Sequence, residues 1–234
     1  MIDDLRLRAQ KAVKSVTRVF GLEIRYAFNN LPIYSPLIYG RWVNPADARC
    51  IFDVGANIGQ SAKAFAKAFP NAVVYSFEPF PAAFHELAIT GAKFKGRVKP
   101  YKLALGDEDH VVVTSVNPSS KSVENKVTPG SNGASVQVTT IDSFCNREGI
   151  TTIDILKTDT EGYDARVLRG ASKMLGQKRI RCIISEFGFI GDPQRTSFED
   201  VYDILHANGY RFAGLYEATH THAGECFFAN ALFA

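Results

Sequence analysis

Two short stretches hold side chains whose types and spacing could do chemistry. In "IFDVGANIGQ" an apolar strand-like run carries Asp53 into a turn built on Gly55, Asn57 and Gly59. In "LKTDTEGYDARVLRGA", Lys157, Asp159 and Glu161 alternate at the end of a second apolar run. A turn of this kind is a nucleotide loop when its glycines follow G-x-G-x-x-G, the middle one letting the backbone approach a pyrophosphate. Here Asn57 stands where that pattern needs glycine, and no Gly-Lys-Ser/Thr follows as in a phosphate-binding P-loop. A carboxylate just ahead of a sparse glycine turn suits a ligand with a cationic amine and a nucleoside. Asp53 would attract the amine, and the N–H groups opening the next helix would receive a carboxylate.

Glu78 ends the next apolar run, "AVVYSFE", nineteen residues past Gly59, and Pro79 follows it. That is close to the ~20-residue interval at which an acid holds a ribose diol. The blander reading of a lone glutamate at a strand end is a solvated loop residue. On an extended strand Lys157, Asp159 and Glu161 would point to one side. A lysine buried beside acids is tolerable only as part of a paired set, and an ion-paired strand end is the plain alternative to a catalytic role. Further base candidates are Glu186 in "ISEFG" and His220 and His222 in "THTHAG", although a His-x-His turn is more often solvated.

The elements that must position these residues follow from the pattern. "CIFDV", "AVVYSFE", "VKPYKLAL", "IDILKTD" and "RCIISEF" read as strands, separated mostly by helix-length segments such as 58–69, 82–89 and 198–208. This alternation predicts βαβ units and a doubly wound, mostly parallel sheet. "YRFAGLYE" and "ECFFANALF" have no helix between them and should form an antiparallel hairpin. Between residues 108 and 140, "HVVVTSV" and "ASVQVTT" flank a polar stretch, a hairpin-like insertion that is either a surface excursion or a substrate lid.

The motifs "DVGANIGQ", "FEPFP", "LALGDED", "VTTIDSF" and above all "LKTDTEGYDARVLRGA" resemble the FkbM family of methyltransferases. The resemblance runs from about Cys50 to the C-terminus. The Asp53 loop is shared by many methyltransferases, whereas K-x-D-x-E-G-x-[DE]-x-x-V-L-x-G-A is more specific, with Asp164 where glutamate is frequent. It implies the Rossmann-like class I methyltransferase fold, a seven-stranded sheet with an antiparallel final strand, and S-adenosylmethionine as methyl donor, with S-adenosylhomocysteine as product. By the same resemblance Asp53, Gly55, Asn57 and Gly59, with Gln60 and Ser61, would contact the methionine part. Glu78 and Pro79 would meet the ribose, and Ala104, Leu105 and Asp107 would flank the adenine. Asp159 would stand where donor and acceptor meet, with Glu161, Glu186 or His220 as the base. The expected reaction is O-methylation of a sugar, glycan or secondary metabolite, as in polysaccharide or secondary-metabolite biosynthesis. The alternatives are an NAD-type oxidoreductase, for which the loop lacks a glycine, and a non-catalytic binding module of the same fold.

Composition narrows the rest. With 46% apolar and 22% charged residues the chain can build a full core, and a formal net charge of +3 does not point to nucleic acid. The six basic and three acidic residues up to Tyr26 account for that excess. Residues 1–45 are expected to be a helical extension, its first twenty residues a basic amphipathic helix that either packs on the domain or touches an anionic membrane surface; 46–234 would be the methyltransferase domain. The four cysteines form no C-x-x-C pair, so no zinc site is expected. A metal-assisted variant would draw on Asp159, Glu161, Glu186 and a histidine, but no spacing demands it, and none is predicted. Asp3 and Asp4 with no apolar run after them are unlike a secretory leader, and a cytoplasmic location is expected.

Overall fold

The computed structural model describes residues 33–114, 134–188, 195–220 and 226–234. The proposed N-terminal amphipathic helix, the tip of the 108–140 insertion, His222 and the side chain of His220 lie outside the described residues.

Seven strands form one sheet in the order β3-β2-β1-β7-β8-β10-β9. They are β1 (Cys50–Val54), β2 (Val73–Phe77), β3 (Val98–Tyr101), β7 (Ile153–Thr158), β8 (Ile180–Gly188), β9 (Phe212–His220) and β10 (Cys226–Phe233). The β1–β2, β2–β3, β1–β7 and β7–β8 pairs are parallel, and β10 runs antiparallel to both β8 and β9. This is the expected seven-stranded α/β sheet with its C-terminal hairpin. Strand β1 is buried at all five positions and β7 at all six. Both sheet faces are therefore covered, which is why these strands read as nearly unbroken apolar runs.

One face packs Phe52, Leu156, Ile183 and Phe187 against α4 (Ile141–Glu148), α5 (Asp164–Arg169), α6 (Ser172–Gly176) and α7 (Phe198–Ala207). The other packs Ile51, Ile155, Ile184 and Leu232 against α2 (Gln60–Ala68) and the segment from Ile33 to Val43 with its short helix α1 (Pro36–Tyr39). Helix α3 (Pro81–Ala92) closes the same side through Leu87. Ile33, Ile38, Tyr39 and Val43 are all buried there, so the domain's packing extends back beyond the boundary expected at residue 46. Cys50, Cys145 and Cys182 are buried free thiols, as their apolar surroundings imply.

Two expectations need correction. "VKPYKLAL" is not one strand: β3 ends at Tyr101, and β4 (Ala104–Leu105) joins a separate three-stranded sheet, order β4-β6-β5, with β5 (His110–Thr114) and β6 (Ala134–Thr139). The insertion does contain the antiparallel β5–β6 pair. Second, the helical turn after Asp53 begins at Gln60 rather than Ile58, because Asn57 and Gly59 both take left-handed backbone conformations that no helix accommodates. Among the described residues, no helix is long and apolar enough to cross a membrane.

Candidate active site

The strand order reverses between β1 and β7, and in open α/β sheets ligands bind beyond the carboxyl ends of the strands at such a point. Asp53, Glu78, Lys157, Asp159, Glu161 and Glu186 converge there. Two layers can be distinguished, a backbone-built loop on the β1–β2 side and a carboxylate cluster on the β7–β8 side.

The loop is fixed by the ends of its neighbouring strands. Gly55 and Ala56 N–H both donate to the Phe77 carbonyl (3.1 and 3.0 Å). Asp159 N–H donates to the Val54 carbonyl (3.1 Å), which ties the loop to the end of β7. Gly55 has φ +76°, and a Cβ there would sit 1.8 Å from the Asp159 carbonyl oxygen. Only glycine allows that approach. Asn57 (φ 48°) is among the residue types that tolerate the left-handed region best, so it serves the turn where the dinucleotide pattern would have glycine.

Glu78 is buried directly beneath this loop. Its Oε2 accepts from Asn57 N–H (2.9 Å) and its Oε1 from Phe80 N–H (3.0 Å). Burial pushes its pKa up to about 7 despite those two hydrogen bonds. It is thus not the solvated loop residue of the plain reading. Pro79 is half-buried between Glu78 and Phe80, and Gln60 is exposed at the start of α2.

Asp53 does something other than the sequence suggested. It is fully buried, Ser61 Oγ donates to its Oδ2 (2.6 Å), and its Oδ1 faces Lys157 Nζ at 3.5 Å. The cation it neutralises is the protein's own lysine. Register explains the pairing, since Asp53 and Lys157 are direct partners across β1 and β7 and so share a sheet face. Lys157 Nζ also contacts Asp159 Oδ2 at 3.1 Å. Burial pulls the lysine pKa down, but Asp159 and Asp53 more than offset this and hold it above the usual value. The alternation expected for Lys157, Asp159 and Glu161 stops at Thr158, where β7 ends, and Glu161 lies in a left-handed turn (φ 54°). The lysine's partners are therefore Asp53 and Asp159, not Asp159 and Glu161.

In the carboxylate cluster, one oxygen each from Asp159, Glu161 and Glu186 lies within 4.8 Å of the others. Arg195 spans two of them, with Nη1 2.8 Å from Glu186 Oε2 and Nη2 3.7 Å from Glu161 Oε2, while its guanidinium sits 4.7 Å over the Phe228 ring. Burial, reinforced by Asp159 and Asp164, pushes the Glu186 pKa up to about 8 against the pull of Arg195. Asp164, fully buried behind the cluster, is raised to about 6 by burial and by Asp159. The residues taken for the adenine edge divide: Ala104 and Leu105 are buried in the packing of the two sheets, whereas Asp107 is partly open and faces Arg166 at 4.0 Å.

Sequence reasoning missed Arg195, Asn230 and Tyr34. Asn230 is buried on β10 directly opposite Glu186, and its Oδ1 has no hydrogen-bond partner. Tyr34 packs edge-on against Phe65 at 5.6 Å and is close enough to Lys157, Asp53 and Asp159 to feel their charges, burial raising its pKa. An asparagine in an otherwise apolar strand was the one legible signal among these.

Comparisons with known proteins bear on the family and the fold. The Methyltransferase FkbM domain matches residues 53–212, more than half of the chain. A crystal structure of a methyltransferase FkbM from Methylobacillus flagellatus KT is similar over 89% of this chain and 49% of that one, with TM-score 0.61 and 16% identity. The chain thus spans about half of that protein's length. A structure of Aeropyrum pernix fibrillarin, in complex with natively bound S-adenosyl-L-methionine, is similar over 86% of this chain and 73% of that one, with TM-score 0.50 and 11% identity. No curated protein matches the sequence. At these identities the structural likenesses establish the class I methyltransferase fold, and the domain match establishes the rest: the chain belongs to the FkbM-domain methyltransferases.

Proposed function

We propose that the protein is an S-adenosylmethionine-dependent O-methyltransferase acting on a hydroxyl of a sugar, glycan or secondary metabolite. The observation that carries this reading is the continuous polar path Ser61–Asp53–Lys157–Asp159, running from the buried loop to a half-exposed carboxylate beside Glu186. It links a nucleoside-type loop to a cluster able to handle a proton.

The donor suits the residues present. Each Glu78 oxygen accepts one backbone N–H and keeps a lone pair, so the carboxylate can still receive the two O–H groups of a ribose diol. The left-handed turns at Gly55 and Gly59 keep the loop tight, the missing side chains leaving room for the Asp159 carbonyl and for Leu87 and Thr90. Asp53 is enclosed, so its role is to hold Lys157 and, through it, Asp159; the donor's amine would be met by Asp159 and by loop carbonyls. When bound, S-adenosylmethionine supplies an electrophilic methyl group on a sulfonium.

The chain's own residues do the rest. Asp159 and Glu161 orient the acceptor hydroxyl, and Glu186, whose pKa of about 8 lies near working pH, takes its proton as the oxygen–carbon bond forms and the carbon–sulfur bond breaks. A neutral acceptor and a sulfonium give products with less separated charge. Alignment can therefore supply most of the acceleration, up to roughly 7–11 kcal/mol, and no conspicuous triad is required. A panel of hydroxylated acceptors incubated with labelled donor tests the proposal. Gain of one methyl mass on an oxygen is the expected result, whereas methylation at nitrogen or carbon only, or no turnover with any acceptor, would overturn it.

A further inference from the structure

Resting on that acceptor-side reading, we propose that Asp159, Glu161, Glu186 and the amide oxygen of Asn230 form a binding site for a hard divalent cation of the magnesium and manganese class. Three carboxylates converge within 4.8 Å, a spacing at which one ion can touch all of them. A carboxylate cluster alone would be an ordinary acidic edge. Asn230 is the independent feature. It is 6% exposed, and it lies directly opposite Glu186 in the antiparallel β8–β10 register, which puts both side chains on one face. Its Oδ1 is buried with no hydrogen-bond partner. A buried amide oxygen left without a donor is costly unless something it can ligate sits beside it.

The donor set selects the ion. All four donors are oxygens, with neither thiolate nor imidazole among them, which favours magnesium, manganese or calcium over zinc or copper. Four protein oxygens leave about two positions of an octahedron. Those positions point to an acceptor that presents two neighbouring oxygens, such as a vicinal diol, with one of them the methylation target. Arg195 serves Glu161 and Glu186 in the structure described. An entering cation takes its place on the carboxylates, and the guanidinium keeps its seat over Phe228. Arg195 and the ion are thus competitors for the same charge, and with the ion bound Glu186 is a ligand rather than the base.

Manganese titration of the full chain, followed by electron paramagnetic resonance and calorimetry with S-adenosylhomocysteine present, tests this. The wild type is expected to bind Mn²⁺ saturably at one site. Glu186→Gln and Asn230→Ala should weaken it at least about tenfold while leaving S-adenosylhomocysteine affinity unchanged, and Arg195→Gln should tighten it. Glu161→Gln replaces Glu186→Gln if the latter fails to fold. No saturable Mn²⁺ binding by the wild type up to about 1 mM, or equal affinity in the Glu186 and Asn230 variants, would overturn the site. Loss of S-adenosylhomocysteine binding by the wild type would count against the methyltransferase reading instead, so the two failures are distinguishable.

Discussion

The two sides of the site are built on opposite principles. On the β1–β2 side, Asp53 and Glu78 are buried, and their oxygens are engaged by Ser61, Lys157 and the Asn57 and Phe80 amides. That side resembles a core, with geometry set by backbone and by packing. On the β7–β8 side, Asp159, Glu161 and Glu186 crowd one another, with Arg195 bridging two of them and Lys157 reaching only Asp159. That side stores electrostatic conflict. A site that must hold one invariant donor can be rigid and satisfied, whereas one that must receive an acceptor and move a proton benefits from groups poised near neutral pKa.

Lys157 joins the two sides, and removing it should have the largest effect. Lys157→Met leaves Asp53 buried without its counter-charge, and a loss of about 3–5 kcal/mol is expected, read by urea denaturation. A loss below about 1 kcal/mol would show that the two sides are not electrostatically coupled. Glu186→Gln should separate stability from turnover: kcat falls about 10²–10⁴-fold, while the unfolding midpoint shifts little. In the metal-free wild type, kcat should rise with pH through about 8 as Glu186 ionises, and the variant should lose that limb. Equal pH profiles would remove Glu186 as the base.

Gly55→Ala probes the rigid side. Its Cβ would collide with the Asp159 carbonyl at a positive φ, a strain of about 1–3 kcal/mol, and S-adenosylhomocysteine affinity should drop with it. Full affinity in this variant would mean that the loop is not the donor site. The smallest effect is expected from Glu78→Gln, measured as a difference in pH dependence. Glu78 has a folded pKa of about 7 against an ordinary 4.5. Its contribution to stability is therefore fully present below about 4.5 and is lost as pH rises through about 7. Wild type minus variant should show that decline. Donor affinity should run the other way, rising with pH because the carboxylate is the form that accepts the ribose hydroxyls. A pH-independent difference would place Glu78 in solvent-like surroundings.

Much of the rigid side was legible in the sequence, because strand, turn and next strand are local and their residues cannot be rearranged without losing the turn. The apolar run into Asp53, a glycine turn after it and Glu78 just past the next strand fell where the pattern implied, whereas Gly59, read into the helix, lies in the left-handed turn ahead of it. What Asp53 touches was not legible, since its partner Lys157 is about a hundred residues away and only the β1–β7 register brings them face to face. The acceptor side was partly legible through Lys157-x-Asp159-x-Glu161, yet the strand alternation used to align them ends one residue before Asp159. Arg195 sits in the polar stretch "DPQRTS", where periodicity carries no signal, and Asn230 becomes meaningful only once β10 is known to pair with β8. The split of "VKPYKLAL" between two sheets was hidden for a similar reason, as both halves are strand-like and only the pairing partners differ.

The central claim is that the Asp53–Gly59 loop and Glu78 hold a methyl donor. Isothermal calorimetry of S-adenosylhomocysteine with the wild type and with Glu78→Ala at pH 8 tests it most directly. Saturable one-to-one binding by the wild type, markedly weakened in the variant, is the predicted result; no binding by the wild type, or equal binding by both, would contradict it.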